Sequence, residues 1–337
     1  MDGILVVEDG IQEEQVTAMK MKLFPRAMLC ALAMILAARL GCAQGVEENM
    51  AEYICEAHPI QRNGCALHLD CVYLEGTRPA RHILLLHGST YSSHIFDVNY
   101  MDYSLVRRLA REDYGVWRLD IAGYGRSGAV ADGFTPDTAY AARDIDAAVE
   151  AIVRLTGADS VDVLGWSWGA MTAGRYAAGH PAHLGRLVLY GPVLVGLEGD
   201  AGDAPFSRNT WEGAAEDFQR RPDGRFDEAL ADPVVIDMFC SGCWRYNGDS
   251  SPNGWRRDVF AGPSERLIDL DAIDVPTLVI CGSKDPYMDW AEVAAAPERL
   301  PEGSRLEIIP GGSHIVMYEK PYYRDFQDRV VRFLEGK

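Results

Sequence analysis

Ser167 stands between two tryptophans in Gly165-Trp166-Ser167-Trp168-Gly169, a G-x-S-x-G pentapeptide. A serine in that pattern ends a buried strand and opens a helix through a turn so tight that flanking side chains would collide. The bend lifts the hydroxyl above the sheet edge. The dipole of the following helix and the free N–H of Trp168 then face the same point. An isolated hydroxyl is a weak nucleophile, so a base is required, and a group to orient the base. Downstream, "VPTLVICGSKDPYMD" ends an apolar run at Gly282 and sets Asp285 in the next loop, and "RLEIIPGGSHIVMYEKP" does the same for His314. His314 is the only histidine after Asp285, while Asp289 is a second candidate acid. The predicted triad is Ser167, Asp285 and His314. His58, His68, His82, His94, His180 and His183 have no such placement and are expected to pack or lie at the surface.

Upstream, "HILLLHGSTYSS" ends another apolar run in His87-Gly88-Ser89-Thr90. A glycine there lets the backbone approach the serine, so the N–H groups of Ser89 and Trp168 are the expected oxyanion hole, with Thr90 as the alternative donor. Two fixed donors matter because charge develops on the substrate oxygen during attack; losing one costs about 3 kcal/mol of the barrier. Gly123, Gly125 and Gly128 in "DIAGYGRSG" match the dinucleotide fingerprint, but Gly133 and Pro136 break the helix that fingerprint must open. No cofactor and no metal is expected.

These residues need elements to carry them. Six short, nearly continuous apolar runs, at 82–88, 116–120, 161–167, 186–192, 275–282 and 305–310, read as strands covered on both faces. Helical patterns lie between them, which gives a mostly parallel sheet with right-handed crossovers. A hairpin is expected around Asn63-Gly64. From Val193 to about Ile273 no comparable strand occurs, and aromatic residues are mixed with Asp, Arg and Gly. A structureless loop of that length is unusual in a compact domain, so the segment is read as a helical lid over the carboxyl edge of the sheet.

The bulk properties restrict the partners. A net charge of −18 repels phosphate backbones and argues against nucleic acid. Lys20, Lys22 and Arg26 precede an apolar run from Ala27 to Ala38, a signal-peptide pattern with cleavage expected after Ala43. The run is too short to span a bilayer core, which takes about 20 residues. Lipidation at Cys42 is the alternative, although Arg39 stands where an apolar residue is usual. Initiation at Met19 or Met21 would remove the acidic stretch that precedes the signal. Residues 1–43 are therefore assigned to an extension and signal peptide, and 44–337 to a domain with its lid at about 193–273. Six cysteines follow Ala43, which permits disulfides in an exported chain without fixing their pairing. Cys65 and Cys71 share an apparent strand and would lie about 20 Å apart, too far to bridge. Cys240-Ser-Gly-Cys243 allows a local bridge or half of a zinc site.

Taken in order, "HGST", "RLDIAGYGRSG", "GWSWG", "CGSKDP" and "GGSH" resemble the α/β-hydrolase superfamily over residues 50–335. The resemblance implies an eight-stranded, mostly parallel sheet with helices on both faces. It also implies a cap inserted between strands 6 and 7, and the triad named above. In the resembling haloalkane dehalogenases and epoxide hydrolases the nucleophile is an aspartate followed by tryptophan; here it is Ser167 before Trp168. A serine forms an acyl-enzyme, so the expected activity is an exported serine hydrolase acting on a small or medium carboxylic ester with an apolar part. An aminopeptidase, amidase or thioesterase is the alternative. An amine-recognising enzyme needs a lid acid, and Glu212, Glu216, Asp217, Asp227 and Glu228 are available. A carbon–carbon hydrolase, a perhydrolase, and a binding protein without turnover complete the possibilities.

Overall fold

A computed structural model describes residues 52–337; the segment expected to be a signal peptide, with Cys42, lies outside the described residues. The expected hairpin joins β2 (Ile60–Arg62) to β3 (Cys65–Leu74), with Arg62 opposite Cys65. Its turn residues, Asn63 and Gly64, take φ of 50° and 78°, the left-handed pair that a two-residue hairpin turn demands. On the same edge of β3 lies β1 (Tyr53–Ala57), and both pairings are antiparallel. From β3 the sheet continues through β5 (Tyr114–Asp120), β4 (Arg81–Leu86), β6 (Val161–Trp166), β7 (Leu184–Tyr190), β10 (Thr277–Gly282) and β11 (Arg305–Ile309). The pairings from β5 to β11 are all parallel. The eight expected strands form this path, and the short β2 adds a ninth.

The centres of the strands are mostly apolar because both faces are covered. Leu84, Leu86, Val163 and Leu189 point into one layer, with Ile145 of α2 (Thr138–Thr156) and Met171 of α3 (Trp168–Ala177). Ile83, Leu85, Leu164 and Val188 point into the other, with Val106 of α1 (Leu105–Arg111) and Phe326 of α8 (Tyr323–Leu334). The alternation along each strand thus feeds two hydrophobic layers. Helix ends follow local chemistry. The Asp137 carboxylate accepts from Tyr140 N at 2.7 Å to start α2, and Gly157 ends it at φ 74°.

Between β7 and β10 the chain leaves the main sheet. It forms α4 (Trp211–Ala214), α5 (Pro233–Asn247) and α6 (Gly254–Val259), together with a ribbon of β8 (Phe206–Arg208) and β9 (Ser250–Pro252). The expected helical lid therefore also carries a short ribbon. A three-residue strand such as Ser250-Ser251-Pro252 is too short and polar to carry a period-2 signal. Between β10 and β11 runs α7 (Trp290–Arg299).

The six described cysteines are free thiols. Cys65 and Cys71 do share β3. Cys55 pairs with Val72, so it faces the side of the sheet opposite to Cys71. Cys240 and Cys243 lie buried one turn apart on α5, and no group of three potential metal ligands occurs among the described residues. Also among the described residues, no helix is long and apolar enough to cross a membrane.

Candidate active site

Because the strands run parallel, the loops after β4, β6, β10 and β11 leave from one edge of the sheet. Ser167 follows β6 directly, with φ 58° and ψ −122°, a conformation that L-residues avoid. The turn is steric in origin. A Cβ on Gly165 would lie 2.1 Å from the Gly169 carbonyl oxygen, and one on Gly169 would lie 2.3 Å from that of Leu86. The two tryptophans go to opposite sides of the sheet. Trp166 is buried against Tyr91 and Tyr190, and its indole N–H donates to the His314 carbonyl at 3.0 Å. Trp168 is buried beside His87 and Tyr124, and its N–H donates to Thr138 Oγ1 at 3.0 Å.

His314, buried in the loop after β11, places Nδ1 2.7 Å from Oδ2 of Asp285 in the loop after β10. The other carboxylate oxygen, Oδ1, accepts from Tyr287 N at 3.0 Å. Burial alone would lower the imidazole pKa. The charge and hydrogen bond of Asp285, with the carboxylates of Asp217 and Glu216, outweigh it and leave His314 above its ordinary value. The ring is held between Trp166 at 5.3 Å and the edge of Tyr287 at 4.7 Å. Its backbone is held too, since the Tyr190 hydroxyl donates to the His314 carbonyl at 2.8 Å. Next to it, the buried Glu319 carboxylate accepts from Ser313 N at 3.0 Å and Ser313 Oγ at 2.9 Å.

On the opposite wall, the ring of His87 fixes the loop after β4. Its Nε2 accepts from Ile121 N at 3.1 Å, so the proton sits on Nδ1 and is donated to the Gly88 carbonyl at 2.8 Å. In a trans peptide the N–H points away from the carbonyl, so this bond turns the Ser89 N–H away from His87. The backbone also comes close to Ser167: a Cβ on Gly88 would lie 3.1 Å from Ser167 Cβ. Trp168 is the first residue of α3, and its N–H has no acceptor within the helix. Thr90, the alternative donor, has φ 75°, and its carbonyl accepts from Ser251 Oγ of β9 at 3.0 Å.

Ser89, Ser167, Trp168 and His314 line one cavity of about 410 Å³. Asp285 stands behind the imidazole, outside the lining. The hydrogen bonds of the described residues include none between Ser167 and His314; such bonds commonly close only with substrate present. The inserted segment supplies much of the remaining wall, including Trp211, Glu216, Asp217, Asn247 and Arg256.

Other candidates have separate roles. Asp289 caps α7, accepting from Ala291 N and Glu292 N at 3.0 Å each. His68 lies 3.1 Å from Asp70, and His180 lies 3.1 Å from Asp274. The glycine loop at 123–128 folds around Asp120, whose carboxylate takes Ser93 N at 2.8 Å and Arg126 N at 2.9 Å; no helix follows it until Thr138. Of the lid acids, Glu216 and Asp217 reach the cavity, whereas Asp227 accepts from Ala229 N at 3.1 Å in its own turn. Sequence reasoning missed Tyr190, Tyr287, Glu319 and Asn247. Tyr190 is the last residue of β7 and Tyr287 lies in the loop after β10, both at the strand-end edge where the site was expected; nothing local distinguishes the others.

Similarity to known proteins agrees with this architecture. The chain is 30% identical over 250 residues to a non-heme haloperoxidase of Rhodococcus erythropolis, covering 69% of this chain and 85% of that protein. It is 27% identical to a non-heme chloroperoxidase of Burkholderia pyrrocinia, covering 71% and 87%. An esterase from Thermogutta terrifontis superposes with a TM-score of 0.60 at 18% identity, over 85% of this chain and 98% of that one. The carboxylesterase CesB of Bacillus subtilis gives 0.58 at 19%, over 84% and 93%. Residues 81–321 match the family model described as alpha/beta hydrolase fold, and with the strand order and the strand-end loops described above, the chain belongs to the alpha/beta hydrolase family.

Proposed function

We propose that the protein is an exported serine hydrolase that cleaves a carboxylic ester through an acyl-enzyme. The observation that carries this reading is the 2.7 Å His314–Asp285 bond beside a strained serine in the same cavity. Ser167 Oγ attacks the ester carbonyl carbon while His314 Nε2 takes its proton, and Asp285 holds the imidazole in the tautomer that leaves Nε2 free. The N–H groups of Ser89 and Trp168 bind the oxyanion. Collapse of the tetrahedral species breaks the bond to the alkoxy oxygen, which leaves with the proton from His314. A water then gives a proton to His314, attacks the acyl carbon and releases the acid with Ser167 restored.

A fluorophosphonate should label the wild-type protein and fail to label Ser167→Ala, with nitrophenyl ester hydrolysis lost in parallel. Folded wild-type protein that takes no label would favour a binding protein instead. Export rests on residues 20–43, and a mature chain beginning at Gln44 in the exported fraction is the expected result. The haloperoxidase relatives motivate a second reading: if hydrogen peroxide replaces water in the final step, the same acyl-enzyme yields a peracid. Peroxide-dependent loss of the free acid product, with peracid formed in its place, is the measurement that separates the two.

A further inference from the structure

The cavity that holds Ser167 and His314 also holds two carboxylates, Glu216 and Asp217, which follow α4. Neither forms an ion pair with a lysine or arginine among the described residues. Burial and the neighbouring acid push the Glu216 carboxyl up, opposed by Arg256 and His314. Burial likewise pushes Asp217 up, with Asp285 adding to it and His314 opposing. The Tyr287 hydroxyl turned toward Asp217 is a neutral partner and supplies no counter-charge. Glu216 is exposed and Asp217 half-buried where they line the cavity; two neighbouring carboxylates so placed are relieved by a cation, which offsets their mutual repulsion and the partial burial of Asp217.

The cationic side chains of the same wall do not fill this role. Arg256 donates through Nε to the Ala201 carbonyl at 3.1 Å and stacks on Trp255 and Phe260 at 5.2 and 5.0 Å. Arg208, at the end of β8, is exposed. A second observation is independent of the acids. Asn247, at the end of α5, lines the cavity with both amide atoms buried and without a hydrogen-bond partner in the protein. A native side chain in that state at a cavity wall calls for a donor and an acceptor from outside the protein, and a polar group of a bound molecule can supply them. The indoles of Trp211, Trp244 and Trp255 complete a lining suited to an organic cation, which is attracted to aromatic faces.

We infer that Glu216 and Asp217 form a cation subsite of the Ser167 cavity, so that the preferred substrate is an ester carrying an ammonium group, with Asn247 bonding a further polar group of the same molecule. This deepens the serine-hydrolase reading and rests on it for the reacting bond. The experiment has a binding arm and a turnover arm. In the first, benzylammonium and benzyl alcohol are titrated calorimetrically into wild type, Ser167→Ala, Glu216→Gln and the double variant Glu216→Gln/Asp217→Asn. Benzylammonium should bind at least tenfold tighter than the alcohol to the first two proteins, less so to the single variant, and equally in the double variant. In the second, kcat/KM is compared for butyrylthiocholine and its neutral 3,3-dimethylbutyl isostere; the ratio cancels any effect of the acids on His314. A tenfold preference for the cation that disappears in the double variant supports the subsite. Equal binding of the two probes to wild type, or a preference that survives in the folded double variant, overturns it. Loss of all turnover and of fluorophosphonate labelling, with the calorimetric preference intact, would instead remove the hydrolase reading and leave the subsite standing.

Discussion

Asp285 and His314, each in the loop after its own strand, meet through Oδ2 and Nδ1 at 2.7 Å, and both side chains are buried. The pairing of β10 with β11 makes this possible, because Gly282 is opposite Ile309 and the two loops leave the sheet side by side. Replacing Asp285 by Asn preserves shape but removes the charge and favours the wrong imidazole tautomer. The expected result is a fall in kcat of about 10⁴-fold with the fold unchanged, read from ester hydrolysis and near-ultraviolet circular dichroism.

The pH profile carries a related expectation. His314 must be neutral to accept a proton, and its pKa lies above the ordinary value of about 6.5. Activity should therefore rise through an inflection above that value, and the inflection should move to lower pH in Asp217→Asn. A raised folded-state pKa also means that the His314–Asp285 pair contributes stability fully below the unfolded pKa and loses it as pH rises through the folded one. A profile with its acid limb below that of a free imidazole would contradict this account.

His87 touches no reacting atom; it positions the peptide that carries the Ser89 N–H through its 2.8 Å bond to the Gly88 carbonyl. In His87→Ala that peptide is free to rotate. We expect kcat to fall by about 10²- to 10³-fold, as for loss of one oxyanion donor, with little change in KM for a neutral ester. An equal loss through KM alone would mean that His87 supports binding and not the oxyanion.

On β3, away from the strand-end loops, Asp70 accepts from Arg118 Nε at 2.7 Å and Arg126 Nη1 at 3.1 Å, and lies 3.1 Å from His68. Burial would raise the Asp70 carboxyl, but His68 and the two arginines outweigh it and hold it well below the usual carboxylate range. Asp70→Asn leaves the buried Arg118 with only its longer 3.4 Å contact to Asp97 and should cost up to about 3 kcal/mol in urea unfolding at neutral pH. Because the folded pKa is depressed, the stability Asp70 contributes is present above the unfolded value of about 3.9 and fades as pH falls through the folded one. The gap between wild type and variant should therefore narrow in acid.

The parallel strands were legible because burial on both faces writes short apolar runs, as in Ile83–Leu86, and the loops after three such runs carry the proposed reacting groups. Ser167, Asp285 and His314 are therefore visible as sequence. The lid is different. Glu216 and Asp227 look alike in composition, and only the path of the chain after α4 sends one into the cavity and the other into a turn. Glu319 shows no pattern either, since its role depends on Ser313 and Gln219 arriving from separate segments.

The indoles of Trp166 and Trp168 belong to different hydrophobic layers, although one residue separates them. Ser167 is thus riveted between two plates, and loosening either one tilts it. Inactivation on heating should follow whichever plate yields first, so that catalytic competence reports on the weaker half of the molecule before the whole chain melts.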